Sequence, residues 1–191
     1  MVNSPTWTSV DGEAGWIAPG NIDTGVTRDS VVYPSIPVGT IAQFRDTGTT
    51  FLGSGRFIFL PGVTATVAGD SVSYRLSAGT DVGGDVNDGA ATVRSVTTGN
   101  TGFPLAIATA AVDLQSKWGW YQLQGAAIVN VSGTVSAGQS AYLGQTAKWE
   151  TNAASGGKQV IGAQSSSADG VPDTGKAIFT INNPVVQSQI T

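Results

Sequence analysis

A nine-residue phrase built around an Ala-Gly turn occurs twice in the chain. The two copies are Thr66-Val67-Ala68-Gly69-Asp70-Ser71-Val72-Ser73-Tyr74 and Thr134-Val135-Ser136-Ala137-Gly138-Gln139-Ser140-Ala141-Tyr142. Glycine supplies the positive φ that a tight turn requires, and the run after each turn alternates apolar and small residues, as a strand with one buried face does. The repeat therefore predicts a scaffold of repeated strand pairs.

The amino-acid composition favours strands over helices. The chain has only 4 lysines, 2 glutamates and 1 methionine among 191 residues, so strong helix formers are scarce. Valine and threonine are common, and both fit the pleated surface of a sheet. Charged residues make up 12%, against about 25% in an ordinary soluble domain, while 40% are hydrophobic. We expect an all-β fold with a weakly charged surface, which suits a protein that packs into an assembly.

Ten short strands separated by turn residues predict a body that is a β-sandwich or barrel-like. The expected strands are antiparallel and lie at 40–45, 56–60, 71–76, 91–96, 104–108, 118–123, 126–131, 140–143, 158–163 and 176–181. They divide into two weakly repeated modules, at about 57–123 and 126–181, within a body that spans 38–184.

The ends of the chain differ from this body. Prolines interrupt the apolar residues of 1–37, which predicts an extended N-terminal arm with room for one short strand. Its large apolar residues require burial, either on the chain's own body or on a neighbouring subunit. At the other end, Asn182-Asn183-Pro184 is expected to stop the last strand and leave a short tail at 185–191.

Charge and residue usage argue against several kinds of chemistry. The net charge is −4 and the cations are scattered, so we expect no nucleic-acid partner. No apolar run approaches the ~20 residues of a membrane span, and we expect no membrane contact. The chain has no cysteine for disulfides and no histidine to act as a general base or metal ligand. We therefore expect no enzymatic activity and no cofactor.

Two motifs share features with ligand sites but miss key residues. Residues 170–176 have the spacing of a phosphate-binding P-loop, but Ala177 stands where Ser or Thr binds magnesium and a strand-like run replaces the helix. We expect a hairpin loop there. An acidic loop lacks the spacing and the closing glutamate of a calcium-binding EF-hand, which favours a solvated turn. Its residues are Asp81, Asp85, Asn87 and Asp88.

Large aromatic side chains supply the candidate binding residues. Trp118 and Trp120 share one face of an expected strand, and three interpretations stay open: packing in the core or between subunits, contact with a partner protein, and a stacking surface for sugars. In the arm, Trp7, Trp16 and Ile17 are suited to lie across a neighbour and to become ordered on binding. These five residues are the predicted partner-binding set.

Residues 38–184 carry an ordered series of short motifs. The motifs are Val38-Gly39-Thr40-Ile41-Ala42, Arg56-Phe57-Ile58-Phe59-Leu60, Ala68-Gly69-Asp70-Ser71-Val72, Leu105-Ala106-Ile107-Ala108, Trp118-Gly119-Trp120-Tyr121-Gln122-Leu123-Gln124-Gly125, Ser136-Ala137-Gly138 and Asn182-Asn183-Pro184. This series resembles the capsid decoration, or cement, proteins of tailed bacteriophages. The arm has no specific counterpart in this resemblance.

The resemblance implies a β-rich virion structural protein on the outer surface of the capsid. It implies attachment to the major capsid protein, as a homotrimer near local three-fold axes, where the protein stabilises the head against the pressure of packaged DNA. Two alternatives stay open. One is a receptor- or glycan-binding head fibre or adhesin module, which requires exposed Trp118 and Trp120. The other is a β-sandwich hydrolase with paired carboxylates.

Overall fold

The computed structural model describes residues 5–10, 16–49, 52–76, 90–94, 102–152 and 158–187. Every regular element in these ranges is a β-strand, so the expectation of an all-β fold is confirmed. No helix that is long and apolar enough to cross a membrane occurs in these ranges. The strands are β1 (Trp7–Ser9), β2 (Val26–Arg28), β3 (Val31–Tyr33), β4 (Ile41–Asp46), β5 (Ser54–Pro61), β6 (Ser71–Leu76), β7 (Ala90–Arg94), β8 (Leu105–Ala108), β9 (Trp118–Asn130), β10 (Ser140–Leu143), β11 (Trp149–Glu150), β12 (Gln159–Ser165) and β13 (Lys176–Val186).

Eleven strands form one antiparallel sheet, and β2 and β3 form a separate hairpin. The main path of the sheet runs β1-β4-β5-β9-β13-β12-β10-β11. A branch leaves this path at β9, where β8 pairs with β9, β6 with β8, and β7 with β6. Apolar side chains are buried between the parts of this branched sheet, which makes the body sandwich-like. The described strands do not close into a barrel.

The same order of strand pairing occurs twice. In the first set, β5 pairs with the first half of β9, β9 with β8, β8 with β6, and β6 with β7. In the second set, the second half of β9 pairs with β13, β13 with β12, β12 with β10, and β10 with β11. In chain order, β9 is the last strand of the first set and the first strand of the second.

The two sets also agree in register. Pro61 lies opposite Trp118 in the first set, and Asn130 lies opposite Lys176 in the equivalent place of the second. The turns of the repeated phrase make the same pair of backbone hydrogen bonds in each set. These bonds run from Gly69 N to Ala108 O and from Ala108 N to Asp70 O (both 2.8 Å), and from Gly138 N to Ser165 O (2.8 Å) and from Ser165 N to Gln139 O (2.9 Å). The division into separate modules at 57–123 and 126–181 stays a prediction.

Strand β9 is longer than expected, because the chain passes through Gln124-Gly125 without turning. The sequence had indicated two strands, 118–123 and 126–131. Gly125 has a φ of +103°, and a Cβ there would lie 2.6 Å from the carbonyl oxygen of Ser54. The buried Gln122 amide donates to the carbonyl oxygens of Gln124 (3.2 Å) and Ala126 (2.9 Å). The glycine therefore permits a change of partner within one strand rather than a reversal.

Strand β13 also extends further than expected. The predicted end at 182–184 is wrong, because the strand continues to Val186, which is buried. Gly162 and Asn183 have φ values of +79° and +44°, and the ladder between β12 and β13 shifts register beside Gly162. A β-bulge of this kind accommodates residues that interrupt regular pairing. The first part of the predicted tail therefore belongs to the sheet.

The buried side chains form three clusters. The first lies within the first set and includes Ile58, Leu60, Tyr121 and Leu123. The second lies within the second set and includes Val129, Trp149, Phe179 and Ile181. The third lies on the other face of β4, β5 and the start of β9, and includes Trp7, Phe44, Phe57, Trp118 and Trp120. Residues of the N-terminal segment (5–10 and 16–37) cover one side of the third cluster, and the sheet covers the other.

Strand β8 separates the first two clusters. All four of its side chains are buried. Ala106 and Ala108 contribute to the first cluster, whereas Leu105 and Ile107 contribute to the second. Because successive side chains of a strand point to opposite faces, one short strand forms a wall of both cores. The two sets are therefore packed as one block.

A buried carboxylate joins the turn of the first set to the end of β9. Asp70 is 1% exposed, and its Oδ2 accepts a hydrogen bond from Arg94 Nη2 at 2.8 Å. The Asn130 amide donates to Asp70 Oδ1 (2.9 Å) and to the carbonyl oxygen of Ala68 (3.1 Å). In the second set the equivalent residue is Gln139, which is exposed. The ionic link is therefore specific to the first copy of the phrase.

Replacing Asp70 by alanine should lower the free energy of unfolding by about 2–4 kcal/mol. The variant leaves the Arg94 and Asn130 donors without their acceptor beside a buried turn. The matched control is Gln139→Ala, which should change the free energy of unfolding by less than about 0.5 kcal/mol because the side chain is exposed. Urea denaturation of both variants measures the difference. Equal effects of the two substitutions would contradict the assigned role of Asp70.

Tyr121 makes stability sensitive to alkaline pH. Burial raises the pKa of Tyr121 far above its ordinary value of 10.0. Burial also raises the pKa of Tyr74, although the positive charge of Arg56 lowers it in part. Above about pH 10 the unfolded chain loses the phenolic proton while the folded chain retains it, so stability falls as pH rises. Tyr121→Phe should weaken this decline, and Phe179 already occupies the equivalent position of the second set. Urea midpoints at neutral and alkaline pH test this, and an unchanged decline would refute it.

Candidate functional site

The five predicted partner-binding residues come together in one region of the molecule. Trp7, Trp118 and Trp120 belong to the third cluster, and Trp16 and Ile17 pack against it. The rings of Trp16 and Trp120 have centroids 5.8 Å apart. Trp120 Nε1 donates to the carbonyl oxygen of Ile17 at 2.6 Å. Residues of the N-terminal segment thus cover the face of β9 that carries the two tryptophans.

Of the three interpretations of Trp118 and Trp120, this packing favours the first, burial in the core. Both side chains are fully buried, so neither ring presents a face to a sugar or to a partner. Trp7 is also buried, by β1 pairing with β4 and by an edge-to-face contact with Phe57 at 4.9 Å. Trp16 and Ile17 are half-buried. The body of the chain itself therefore buries these apolar side chains, and a partner contact for Trp16 and Ile17 stays a prediction.

Asp23 fastens one part of the N-terminal segment. Its backbone pairs with that of Trp118 through two hydrogen bonds, of 2.8 and 3.0 Å. Its carboxylate accepts hydrogen bonds from Gly25 N (2.8 Å), Ser35 N (2.7 Å) and Ser35 Oγ (2.8 Å). These bonds fix both ends of the loop that carries the β2–β3 hairpin.

Asp46 fastens the beginning of the segment in a similar way. Its Oδ1 accepts hydrogen bonds from Thr6 N (3.0 Å) and Gly48 N (2.9 Å), and its Oδ2 accepts one from Leu52 N (3.0 Å). Asp23 and Asp46 each begin an Asp-Thr-Gly triplet, and in both the aspartate accepts the glycine N–H two residues on, as in an Asx turn. A third triplet, Asp173-Thr174-Gly175, lies in the loop before β13, where Asp173 accepts the Thr174 N–H instead. The triplet therefore indicates a turn, and only the structure shows which copies anchor the segment.

The hairpin formed by β2 and β3 stands outside the main sheet. Its six strand residues are all exposed, and four of them are large and apolar. These are Val26 (46% exposed), Val31 (38%), Val32 (36%) and Tyr33 (41%). Asp29 and Ser30 form its turn with φ values of +47° and +66°. Val26 pairs with Tyr33, and Arg28 pairs with Val31. Val26, Arg28, Val31 and Tyr33 therefore share one face of the hairpin, and Val32 lies on the other.

A cleft of about 540 Å³ lies where the N-terminal segment meets both strand sets. Continuous backbone at 18–22 and 107–111 contributes much of its lining. Trp7, Ile128 and Lys176 also line it. Lys176 is the one charged side chain among the lining residues. The cleft is therefore largely apolar, with a single ammonium group.

Of the two motifs that share features with ligand sites, the structure describes only the one at 170–176. Residues 170–176 connect the antiparallel strands β12 and β13, and Gly170 N donates to the carbonyl oxygen of Lys176 at 2.9 Å. This segment is the hairpin loop that the sequence predicted. The acidic loop of Asp81, Asp85, Asn87 and Asp88 lies outside the described residues. Within those ranges, no group of three or more Asp or Glu side chains is placed to hold a metal ion.

Comparisons of the chain with protein-family models, with curated proteins and with solved structures find no match.

Replacing Trp7 by alanine should cost about 3–5 kcal/mol of unfolding free energy, because it empties the space between β1 and Phe57. The neighbouring variant Thr8→Ala is the control, since Thr8 is exposed and should change stability by about 0.5 kcal/mol or less. Chemical denaturation, with limited proteolysis of the N-terminal segment, measures both. If Trp7→Ala were as stable and as protease-resistant as the control, the segment would not be docked on the body.

Proposed function

We propose that the chain is a non-enzymatic capsid decoration protein of a tailed bacteriophage. It binds the major capsid protein on the outer surface of the virion as a homotrimer and stabilises the head. The sequence resemblance over 38–184 supports this assignment, and so does the weakly charged surface. Because interface cores are depleted of charged residues, such a surface suits repeated contacts in a protein shell.

The observation that carries the proposal is the exposed β2–β3 hairpin. A two-stranded hairpin is only marginally stable alone, so large apolar side chains on it gain little from their own packing. Here Asp23 fixes the base of the hairpin, while Val26, Val31 and Tyr33 are exposed together. An exposed apolar patch on an anchored element is typical of a protein contact site. We assign this face to the contact with the capsid.

The fused body supports a mechanical role. Strand β9 belongs to both strand sets, and the side chains of β8 belong to the buried clusters of both, so a force applied to one set is transmitted to the other. A protein that binds only the assembled shell stabilises that shell in proportion to its binding free energy, and no catalytic group is needed. The alternative of a glycan-binding head fibre depended on exposed Trp118 and Trp120, and their burial leaves it without an assigned surface.

The test compares capsids assembled from the major capsid protein of the same genome, with and without this protein. Wild-type protein should co-sediment with the capsids and raise the temperature at which they rupture. The double variant Val31→Thr/Tyr33→Thr should bind about tenfold more weakly or worse, since it removes two apolar contacts while keeping strand-forming residues.

A matched control changes two exposed apolar residues elsewhere, Val67→Thr/Leu114→Gln, and should bind as the wild type does. If the wild-type protein neither binds the capsids nor changes their rupture temperature, the decoration function is refuted. If the hairpin variant and the control bind equally well, the hairpin is not the contact site.

A further inference from the structure

The cleft is built like a binding site rather than a packing defect. Its volume of about 540 Å³ lies within the range of roughly 300–1,000 Å³ typical of ligand sites. It lies at the junction of the N-terminal segment and the two strand sets, and such junctions are preferred places for ligand pockets. It lies apart from the β2–β3 hairpin, none of whose strand residues line it.

The repeated architecture indicates where the two sets have diverged. Lys176 occupies in the second set the register position that Trp118 occupies in the first. In the first set the indole is fully buried and belongs to the third cluster. In the second set an ammonium group stands at this position, and the space beside it is the cleft. The second set thus has an open, cationic position where the first is filled.

Two donors at the cleft, the Lys176 ammonium and Trp7 Nε1, have no acceptor among the described residues. Among the described residues, neither ion pair involves Lys176. Trp7 also lines the cleft, and its buried Nε1 has no acceptor in the described part of the chain. No carboxylate is among the lining residues. Because the Lys176 ammonium is the one charge at the cleft and no carboxylate lies beside it, a ligand that supplies an anionic oxygen is favoured.

The walls of the cleft are held in place before any ligand binds. Gly20 N donates to Thr109 Oγ1 at 3.1 Å, and Thr109 Oγ1 donates to the carbonyl oxygen of Trp120 at 2.6 Å. The first bond joins the 18–22 wall directly to the 107–111 wall, and the second joins the 107–111 wall to β9. A preformed site loses less conformational entropy on binding than a flexible one.

We propose that the cleft binds an extended apolar peptide segment that carries one carboxylate. The carboxylate pairs with the Lys176 ammonium, and apolar side chains of the segment pack on Ile128 and Leu52. A peptide fits because the two backbone walls carry small side chains, such as Ala18, Gly20 and Ala110, which leave room for another main chain. The segment belongs to the major capsid protein, an assignment that rests on the proposed function.

The first experiment tests the cleft without any capsid. The probe is a fluorescein-labelled pentapeptide with blocked ends, with one glutamate at the centre of four valines, and its twin has glutamine instead. By fluorescence anisotropy, the glutamate peptide should bind the wild-type protein at least about tenfold more tightly than the twin, because a charge-assisted pair is lost in the twin.

Two variants locate the binding. Lys176→Gln should reduce the affinity for the glutamate peptide about tenfold, and Ala111→Trp, at an exposed residue lining the cleft, should block both peptides. Lys158→Gln is the control, since it removes a half-buried lysine that does not line the cleft. Equal binding of the two peptides, no binding of either, or equal loss with Lys158→Gln would overturn the proposal.

A second experiment separates this proposal from the decoration function. Capsid binding is measured for the wild type, Lys176→Gln, Ala111→Trp and Lys158→Gln. Weaker capsid binding by the two cleft variants alone supports the cleft as a capsid contact. If all four proteins bind capsids equally, the cleft does not bind a segment of the major capsid protein, while the decoration function stands. If wild-type protein binds no capsid at all, decoration and the capsid segment fail together, and the peptide result alone decides the cleft.

Discussion

Strand β9 is the element on which every buried cluster depends. Along its 13 residues it pairs first with β5 and β8 and then with β13. On one face of its first half, Trp118 and Trp120 belong to the third cluster, and on the opposite face Tyr121 and Leu123 belong to the first cluster. In its second half, Val129 belongs to the second cluster. Because the two sets share this strand, neither can shift against the other without breaking a continuous ladder of hydrogen bonds.

The N-terminal segment completes the fold by covering the face of β9 that would otherwise expose two tryptophans. Three buried aspartates hold different parts of the molecule together: Asp23 and Asp46 anchor the segment, and Asp70 joins the first turn to the end of β9. A buried carboxylate that accepts several N–H donors is stable where an isolated one would not be. Two exposed features carry the functional proposals: a hairpin face with three large apolar side chains beside Arg28, and a cleft with one ammonium group.

The sequence indicated much of the sheet but little of the binding surface. Alternation of small and apolar residues located β4, β6, β10 and the start of β13 within one residue, because such patterns reflect which face of a strand is buried. Gln124-Gly125 and Asn182-Asn183-Pro184 were misjudged, because the same residues serve a turn or a mid-strand irregularity depending on the neighbouring strand. The aromatic residues of the N-terminal segment were assigned to a partner, since composition does not tell an intramolecular surface from an external one.

By itself the sequence determined that the chain is all-β and that one turn is built twice, because residue propensity and local alternation are properties of neighbouring residues. Only the tertiary structure decided that β9 is one strand shared by both sets, that the segment over 5–37 covers its own body where it is described, and that Lys176 stands where the first set has a buried tryptophan. Each of these depends on contacts between residues far apart in the chain, and no local pattern of residues encodes which distant strand becomes a neighbour.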